Sequence, residues 1–381
     1  MNLLYGGQAD GGYIHRERDT RDGMPILYEP DFSPNPPLLS VAEWAMASVT
    51  GDKERLRKVY PLLVGYHHWL EANRRLPDGT YWTTGLANGL DNSPSLGDGY
   101  PCLTAQMAHD AEMLGKIAET IGEEADAKHW REQMTEIGTA LNGNLWDDGI
   151  GFYSTSLPGG GFNPNKDVTG FWPLWAGVVP PDRVDKLAGH LKDPKSFWRH
   201  HPVPSLAADS PHFVPGGQYW LGSSWAPTNF AVIKGFDRAG RHDLAVETTL
   251  RQLQCMWEVY QETGFIWENY SSETSRNGSW SMKDYCWSAL GPIALLIEVV
   301  LGIRVDAMRE TVRWSPPEKQ RCGVEDLPVG QATVSLLQEE SDGKWQVAVR
   351  TDKPIWVEVN TGKYDKRVRC NTGMSHVDLP G

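Results

Sequence analysis

Two carboxylates stand out by their surroundings. Asp91 lies in TTGLANGLDNSPSLGDGY, residues 83–100, between Leu90 and Asn92. Glu268 lies in ETGFIWENYSSETSRNGSW, residues 262–280, between Trp267 and Asn269. Both stretches are rich in residues that make turns rather than helices. An acid flanked by amides and aromatics on a stiff loop suits general acid–base chemistry. One such group must stay protonated to hand over a proton, and a second must be ionised to activate water or attack. An apolar neighbourhood raises the pKa of the first. Glycoside hydrolysis has these needs. Spacing alone does not single out the pair, because the chain has 49 acidic residues. Asp98, Asp147, Asp148, Asp167, Asp209, Glu262, Glu273 and Asp284 sit on comparable loops. Asp91 also reads as a plain turn residue, and Glu268 as a rim charge facing Arg276 or Lys283.

The chain holds 17 Trp against only 9 Phe. An indole offers a broad flat face and one N–H donor, which suits a half-polar ligand such as a sugar ring. Trp82 beside the acid-bearing loop, the amide of Asn92 next to Asp91, and Gln218 and Trp220 in a later loop are candidate sugar contacts. His15 and Arg16 read either as pocket lining or as solvated groups. His67-His68 and His200-His201 lack a third ligand at metal spacing, and adjacent side chains on a helix diverge. No metal and no cofactor are expected.

The formal net charge of −13 argues against a protein that tracks nucleic-acid phosphates or an anionic membrane surface. No run approaches the ~18 apolar residues of a membrane span. Five scattered cysteines, Cys102, Cys255, Cys286, Cys322 and Cys370, lack metal spacing and read as reduced thiols of a cytoplasmic protein. The oligomeric state is left open.

Apolar residues at three-to-four spacing predict helices over about 38–48, 52–76, 101–121, 124–145, 181–192, 225–239, 242–259 and 283–303. Long loops rich in Gly, Pro and aromatics, at 77–100, 146–180, 198–224 and 260–282, alternate with short charged ones. Loops this long are uncommon unless functional. Helix pairs with all their long loops at one end suggest a toroid with a site at its mouth. After about 305 the period changes to two, in QATVSLLQ, GKWQVAVR and PIWVEVN, which predicts strands. The expected organisation is a mainly α catalytic domain over 1–304 and a small β-sandwich over 305–381.

The wording of the loops adds a resemblance. GLDNSP followed by a helix resembles the general-acid loop of glycoside hydrolase family 63 and its relatives, among them mannosylglycerate and glucosylglycerate hydrolases. GFIWENYSSET followed by KDYCWSAL resembles their general-base loop. HPVPSLAADSPHF and GQYWLGSSWAPTNFAVIKGF resemble the segment between, and GSSWAP is also similar to the family 37 trehalases. DGGYIHRE and SPNPPLLSVAEW resemble the family's second hairpin. The motifs run in order over residues 8–303.

The resemblance implies an (α/α)6 toroid and an inverting mechanism, with Asp91 as general acid and Glu268 as general base. An inverting pair stands ~6.5–9.5 Å apart and a retaining pair ~5–5.5 Å. Asn35 falls at a sugar-binding amide, and Trp225 and Trp287 at aromatic positions of the sugar pocket, although both Trp also read as core. The expected substrate is a small α-linked gluco- or manno-configured carbohydrate or glycosylated small molecule. Rival readings are a trehalase-type hydrolase and a degenerate toroid that only binds carbohydrate. Three departures accompany the match. Relatives open with a helix bearing a Trp-Asp element that nothing before Gly11 supplies, so the toroid is expected to lack its first helices. Leu221 follows Tyr219-Trp220 where relatives often have Arg. Ser95-Leu96 stands where relatives usually have Arg and an aromatic.

Overall fold

The computed structural model describes residues 2–24, 34–341, 343–362 and 365–379. The chain divides into two compact units, Met1–Val41 with Val59–Pro292 and Ala42–Lys58 with Ile293–Gly381. This division differs from one at 304/305 in two stretches. The segment 293–304 belongs with the strands, and so does Ala42–Lys58.

Helices of the first unit come in unlike pairs. Pro101–Ile121 begins with Pro at its first position and stops at Gly122, whose φ of 92° only glycine adopts easily. It is buried on nearly every side, through Leu103, Ala105, Met107, Ala108, Ala111, Leu114, Gly115, Ile117 and Ala118. Its partner, Glu124–Asn144, buries only a stripe formed by Ala127, Trp130, Ile137, Gly138 and Leu141. Ala226–Arg238 and His242–Thr263 repeat the contrast. A helix apolar all round must be enclosed, and one with a single stripe faces water on its other side.

Charged groups, from an exposed arginine to a buried aspartate, tie these helices together. Arg238 donates to both oxygens of Glu112 at 2.6 and 2.9 Å. Asp110 accepts from the Ser40 hydroxyl and meets His67 Nδ1 at 2.7 Å. The His67 and His68 rings lie 6.1 Å apart at 88° and so do not converge.

The sequence predicts one helix over 283–303, and the structure breaks it up. Lys283 bridges Trp267, and the Tyr285 N–H donates to the Ile266 carbonyl. This pairing keeps the chain out of a helix, through a left-handed Asp284, up to a 3-10 turn at Cys286–Ala289 and a π-helix at Gly291–Val300.

The second unit carries two four-stranded sheets. One has the order 373–378, 344–351, 332–341, 322–329, all antiparallel. The other has the order 303–306, 311–314, 355–360, 365–370, with one parallel pair in the middle. Inward residues of both, among them Val312, Trp314, Val334, Leu336, Val347, Val349, Val357 and Val359, form one buried cluster. No helix among the described residues is long and apolar enough to cross a membrane.

Burial alone would push the Glu112 carboxyl up, but hydrogen bonds from His109 and Arg238 and the charges of Arg238 and Lys116 take it well below the usual carboxylate range. A depressed folded-state pKa gives stability that is present above the unfolded value, ~4.3, and is lost as pH falls below it. Glu112→Gln is expected to cost about 1–3 kcal/mol at pH 7. Urea titrations should show that deficit shrinking as pH drops below the carboxylate range; a constant deficit would contradict the assignment.

Candidate active site

The first carboxylate is set by a short, well-pinned loop. Thr84 caps the one-turn helix Gly85–Asn88 by accepting from the Ala87 N–H at 3.1 Å. Gly89, with φ 74°, ends it. Leu90 then turns inward against Trp220 and Trp225, which leaves the next side chain, Asp91, on the outer side. Asn92 ties this loop to another. Its Nδ2 donates to the Gln218 carbonyl and its Oδ1 accepts the Trp220 N–H, both at 3.0 Å. Farther along, Asn163 donates to the carbonyls of Pro94 and Leu96 at 3.1 and 2.9 Å.

The second carboxylate is set by a strand-like pairing. The Glu268 N–H donates to the Met282 carbonyl at 2.8 Å, and the Met282 N–H donates to Glu268 Oε2 at 3.2 Å. Ser288 Oγ donates to the Glu268 carbonyl at 3.0 Å. Two residues on, Tyr270 and Ser224 exchange backbone hydrogen bonds at 2.9 Å, which stitches this loop to the segment before Trp225. Glu268 is only 4% exposed.

Tyr219 joins the two acids. Its hydroxyl donates to Glu268 Oε1 at 3.4 Å, and it also acts on Asp91. Burial, followed by the charges of Glu268 and Asp91, pushes its own hydroxyl well above the usual phenol range. Burial raises both carboxyls. For Asp91 the charge of Arg16 and contacts from Tyr219 and Trp220 oppose the rise. For Glu268 the Met282 N–H and Tyr219 oppose it, and the charge of Asp91 adds to it. Asp91 keeps an exposed edge while enough protein crowds it to weaken its hydration. Two raised carboxyls in one electrostatic field, on different loops, can divide the proton-donating and proton-accepting roles.

A family model described as the mannosylglycerate hydrolase MGH1-like glycoside hydrolase domain matches residues 2–288. The chain belongs to this glycoside hydrolase family. It is 25% identical over 373 residues to an uncharacterized protein of Borreliella burgdorferi, covering 94% of this chain and 79% of that protein. It is 22% identical over 274 residues to a probable mannosyl-oligosaccharide glucosidase of Schizosaccharomyces pombe, covering 62% of this chain and 34% of that one. The match thus spans about a third of that curated relative's length. Among solved structures, the GH63 mannosylglycerate hydrolase from Thermus thermophilus in complex with glucose aligns with a TM-score of 0.62 at 21% identity, over 76% of this chain and 85% of that one. The helix-rich fold with C-terminal sheets is shared with that enzyme.

In this glycoside hydrolase the anticipated residues divide into three groups. Asp91 and Glu268 come together. Asn92 lies beside them, but its amide is committed on both sides to backbone. Gln218 contributes its carbonyl to that same tie, and its side chain is exposed. Trp220 and Trp225 require a correction as open sugar-binding faces. They stack on each other at 3.8 Å and 4°, and they are only 2% and 1% exposed. Trp287, 43% exposed, remains open beside Tyr285, with ring centroids 6.4 Å apart. Trp82 carries the Arg74 guanidinium over its ring at 3.8 Å and donates to the Asn73 carbonyl at 3.2 Å. The Asn35 carbonyl accepts the Tyr66 hydroxyl. Neither Trp82 nor Asn35 has a described bond to the acid pair.

Sequence reasoning missed Tyr219 and Tyr285, both within the field of the two acids. The only available signal for Tyr219 was its place after Gly216-Gly217 and before Trp220.

The Trp stack and the open Trp should behave oppositely in urea denaturation. Trp225→Ala is expected to cost about 3–5 kcal/mol, whereas Trp287→Ala should stay within about 1 kcal/mol of wild type. Equal costs would mean that the stack is not the support of the loop.

Proposed function

We propose that this chain is an inverting α-glycosidase acting on a gluco- or manno-configured glycoside, either a small oligosaccharide or a glycosylated small molecule. The observation that carries the reading is that Tyr219, whose loop is fastened by Asn92 to the loop of Asp91, donates its hydroxyl to Glu268 on a third loop. Asp91 protonates the glycosidic oxygen. Glu268 takes a proton from water on the opposite face of the sugar. The donors on Glu268, one from backbone and one from Tyr219, favour its ionised form. Burial weakens hydration of the Asp91 charge and so favours its protonated form, opposed by Arg16, Tyr219 and Trp220. Arg16 works against this at Asp91, so the proton's place depends on what occupies the cleft.

Several features support the wider reading. The enclosed helices 101–121 and 226–238, each paired with a striped one, fit the inner and outer rings of an (α/α)6 toroid. Every candidate site residue lies in the first compact unit, before residue 293, which supports a catalytic domain followed by an accessory β domain over 305–381. The relatives' names pair mannosyl and glucosyl substrates, which supports the sugar class. Exposed Trp280, Met282 and Trp287 near Glu268 in sequence offer apolar surface for a sugar face. Five unbridged cysteines favour a reducing, cytoplasmic compartment.

The test is proton NMR of α-gluco- and α-manno-disaccharides and glycosyl-glycerates with the protein. The β-anomer should appear first, and Asp91→Asn and Glu268→Gln should each lower turnover by at least ~100-fold. The profile of kcat/KM against pH should be a bell, with its acid limb set by ionisation of Glu268 and its alkaline limb by that of Asp91. Both limbs should lie above the usual carboxylate values of ~3.9–4.3, because burial raises both groups. An α-anomer appearing first would rule out inversion. Broadened sugar resonances without cleavage would favour a binding protein.

A further inference from the structure

The Tyr219 peptide is held in a conformation that an aromatic residue rarely adopts. Its φ is +62°, in the left-handed region where the side chain of a bulky residue crowds its own backbone. Three contacts over-determine it. The Tyr219 carbonyl accepts the Trp225 indole N–H at 3.2 Å. The next residue's N–H is taken by Asn92 Oδ1, and the preceding carbonyl by Asn92 Nδ2, both at 3.0 Å. Its ring stands edge-on to Trp220 and Trp225, with centroids at 5.8 and 5.0 Å. From this fixed backbone and ring the hydroxyl donates to Glu268 Oε1 at 3.4 Å.

We propose that Tyr219 is a positioning residue for Glu268, and that Asn92, on the loop of Asp91, fixes the peptide that aims it. The arrangement places acid and base in register through one strap. It rests on the reading of Asp91 and Glu268 as the acid–base pair. A hydrogen bond from the phenol to the carboxylate favours the ionised base and orients the oxygen that must face water. The charged or titratable groups facing Glu268 are Asp91, Tyr219 and Tyr285. Arg16 acts on Asp91 and Tyr285.

The experiment compares wild type, Tyr219→Phe and Asn92→Ala on the best substrate found, reading kcat, KM and the pH profile of kcat/KM. Removing a donor raises the base's pKa, so the acid limb should move to higher pH in Tyr219→Phe. There kcat should fall about 10- to 100-fold, the worth of one hydrogen bond to a charged group, with KM within about threefold of wild type. Asn92→Ala keeps the hydroxyl but frees its support, and should shift the limb in the same direction by less. It also reads the same limb should Tyr219→Phe fail to fold. An unmoved acid limb in the folded variants overturns the proposal, and so does a loss lying wholly in KM, which would make Tyr219 a substrate contact. If Asp91→Asn and Glu268→Gln keep wild-type turnover, the acid–base reading itself falls, whatever the Tyr219 result.

Discussion

The stack of Trp220 on Trp225 is the support on which the site depends. Two indoles in parallel contact, shut away from water, bury a large apolar area in one place. Leu90 of the acid-bearing loop packs into the same cluster, and Tyr219 packs at its edge. The stack therefore anchors the residue before Asp91 and the residue that reaches Glu268. The Trp225 indole N–H is used as well, donating to the Tyr219 carbonyl. The Trp220 indole N–H is buried without a geometrically good acceptor, although it still acts on Asp91. On Asp91 it joins Arg16 and Tyr219 in opposing the rise that burial causes.

Backbone strain is gathered around the same place. Tyr219, Trp280 and Asp284 all have φ near +60°, and each lies in a loop that shapes or adjoins the Glu268 pairing. Conformations of this kind persist only where surrounding contacts over-determine them. Around Glu268 those contacts are mostly backbone. Glu268 and Met282 are bonded in both directions, as are Tyr270 and Ser224, and Tyr285 is bonded to Ile266. The loops behave as short irregular sheets rather than as free connections, which suits groups that must hold fixed positions during a reaction.

Much of this was legible from local signals. The bounds of Pro101–Ile121 follow from a proline that starts a helix and a glycine that ends one, and both act within a turn. Asp91 and Glu268 drew attention because amides, aromatics and turn formers surround them in the chain, and the fold brings them into one electrostatic field. The helix expected over 283–303 starts only at Cys286 and runs as a 3-10 turn and a π-helix to Val300, since its first residues pair with 266–268, and no local period reports a distant partner. Trp220 and Trp225 misled for a similar reason. Trp enrichment says that flat apolar faces exist, but whether a face meets a sugar or another indole is decided by tertiary packing. Tyr219 was hidden because its place depends on a φ value and on Asn92, which is far away in sequence.

The two donors on Glu268 differ in origin, and this difference bears on how the site works. The Met282 N–H belongs to the base's own hairpin-like pairing and stays with it whatever neighbouring loops do. The Tyr219 hydroxyl arrives from another loop, which Asn92 fastens to the loop of Asp91. A base held only by its own loop would be ionised to the same degree whether or not the acid were in position. With the second donor the two conditions are linked. The environment that favours an ionised Glu268 is complete only when the Asp91 loop is docked against 218–220. A general acid and a general base gain nothing by being separately competent, because the bond breaks only when proton delivery and water activation coincide. On the proposed acid–base reading, one strained, well-supported tyrosine would couple the two roles through a few hydrogen bonds and one aromatic stack.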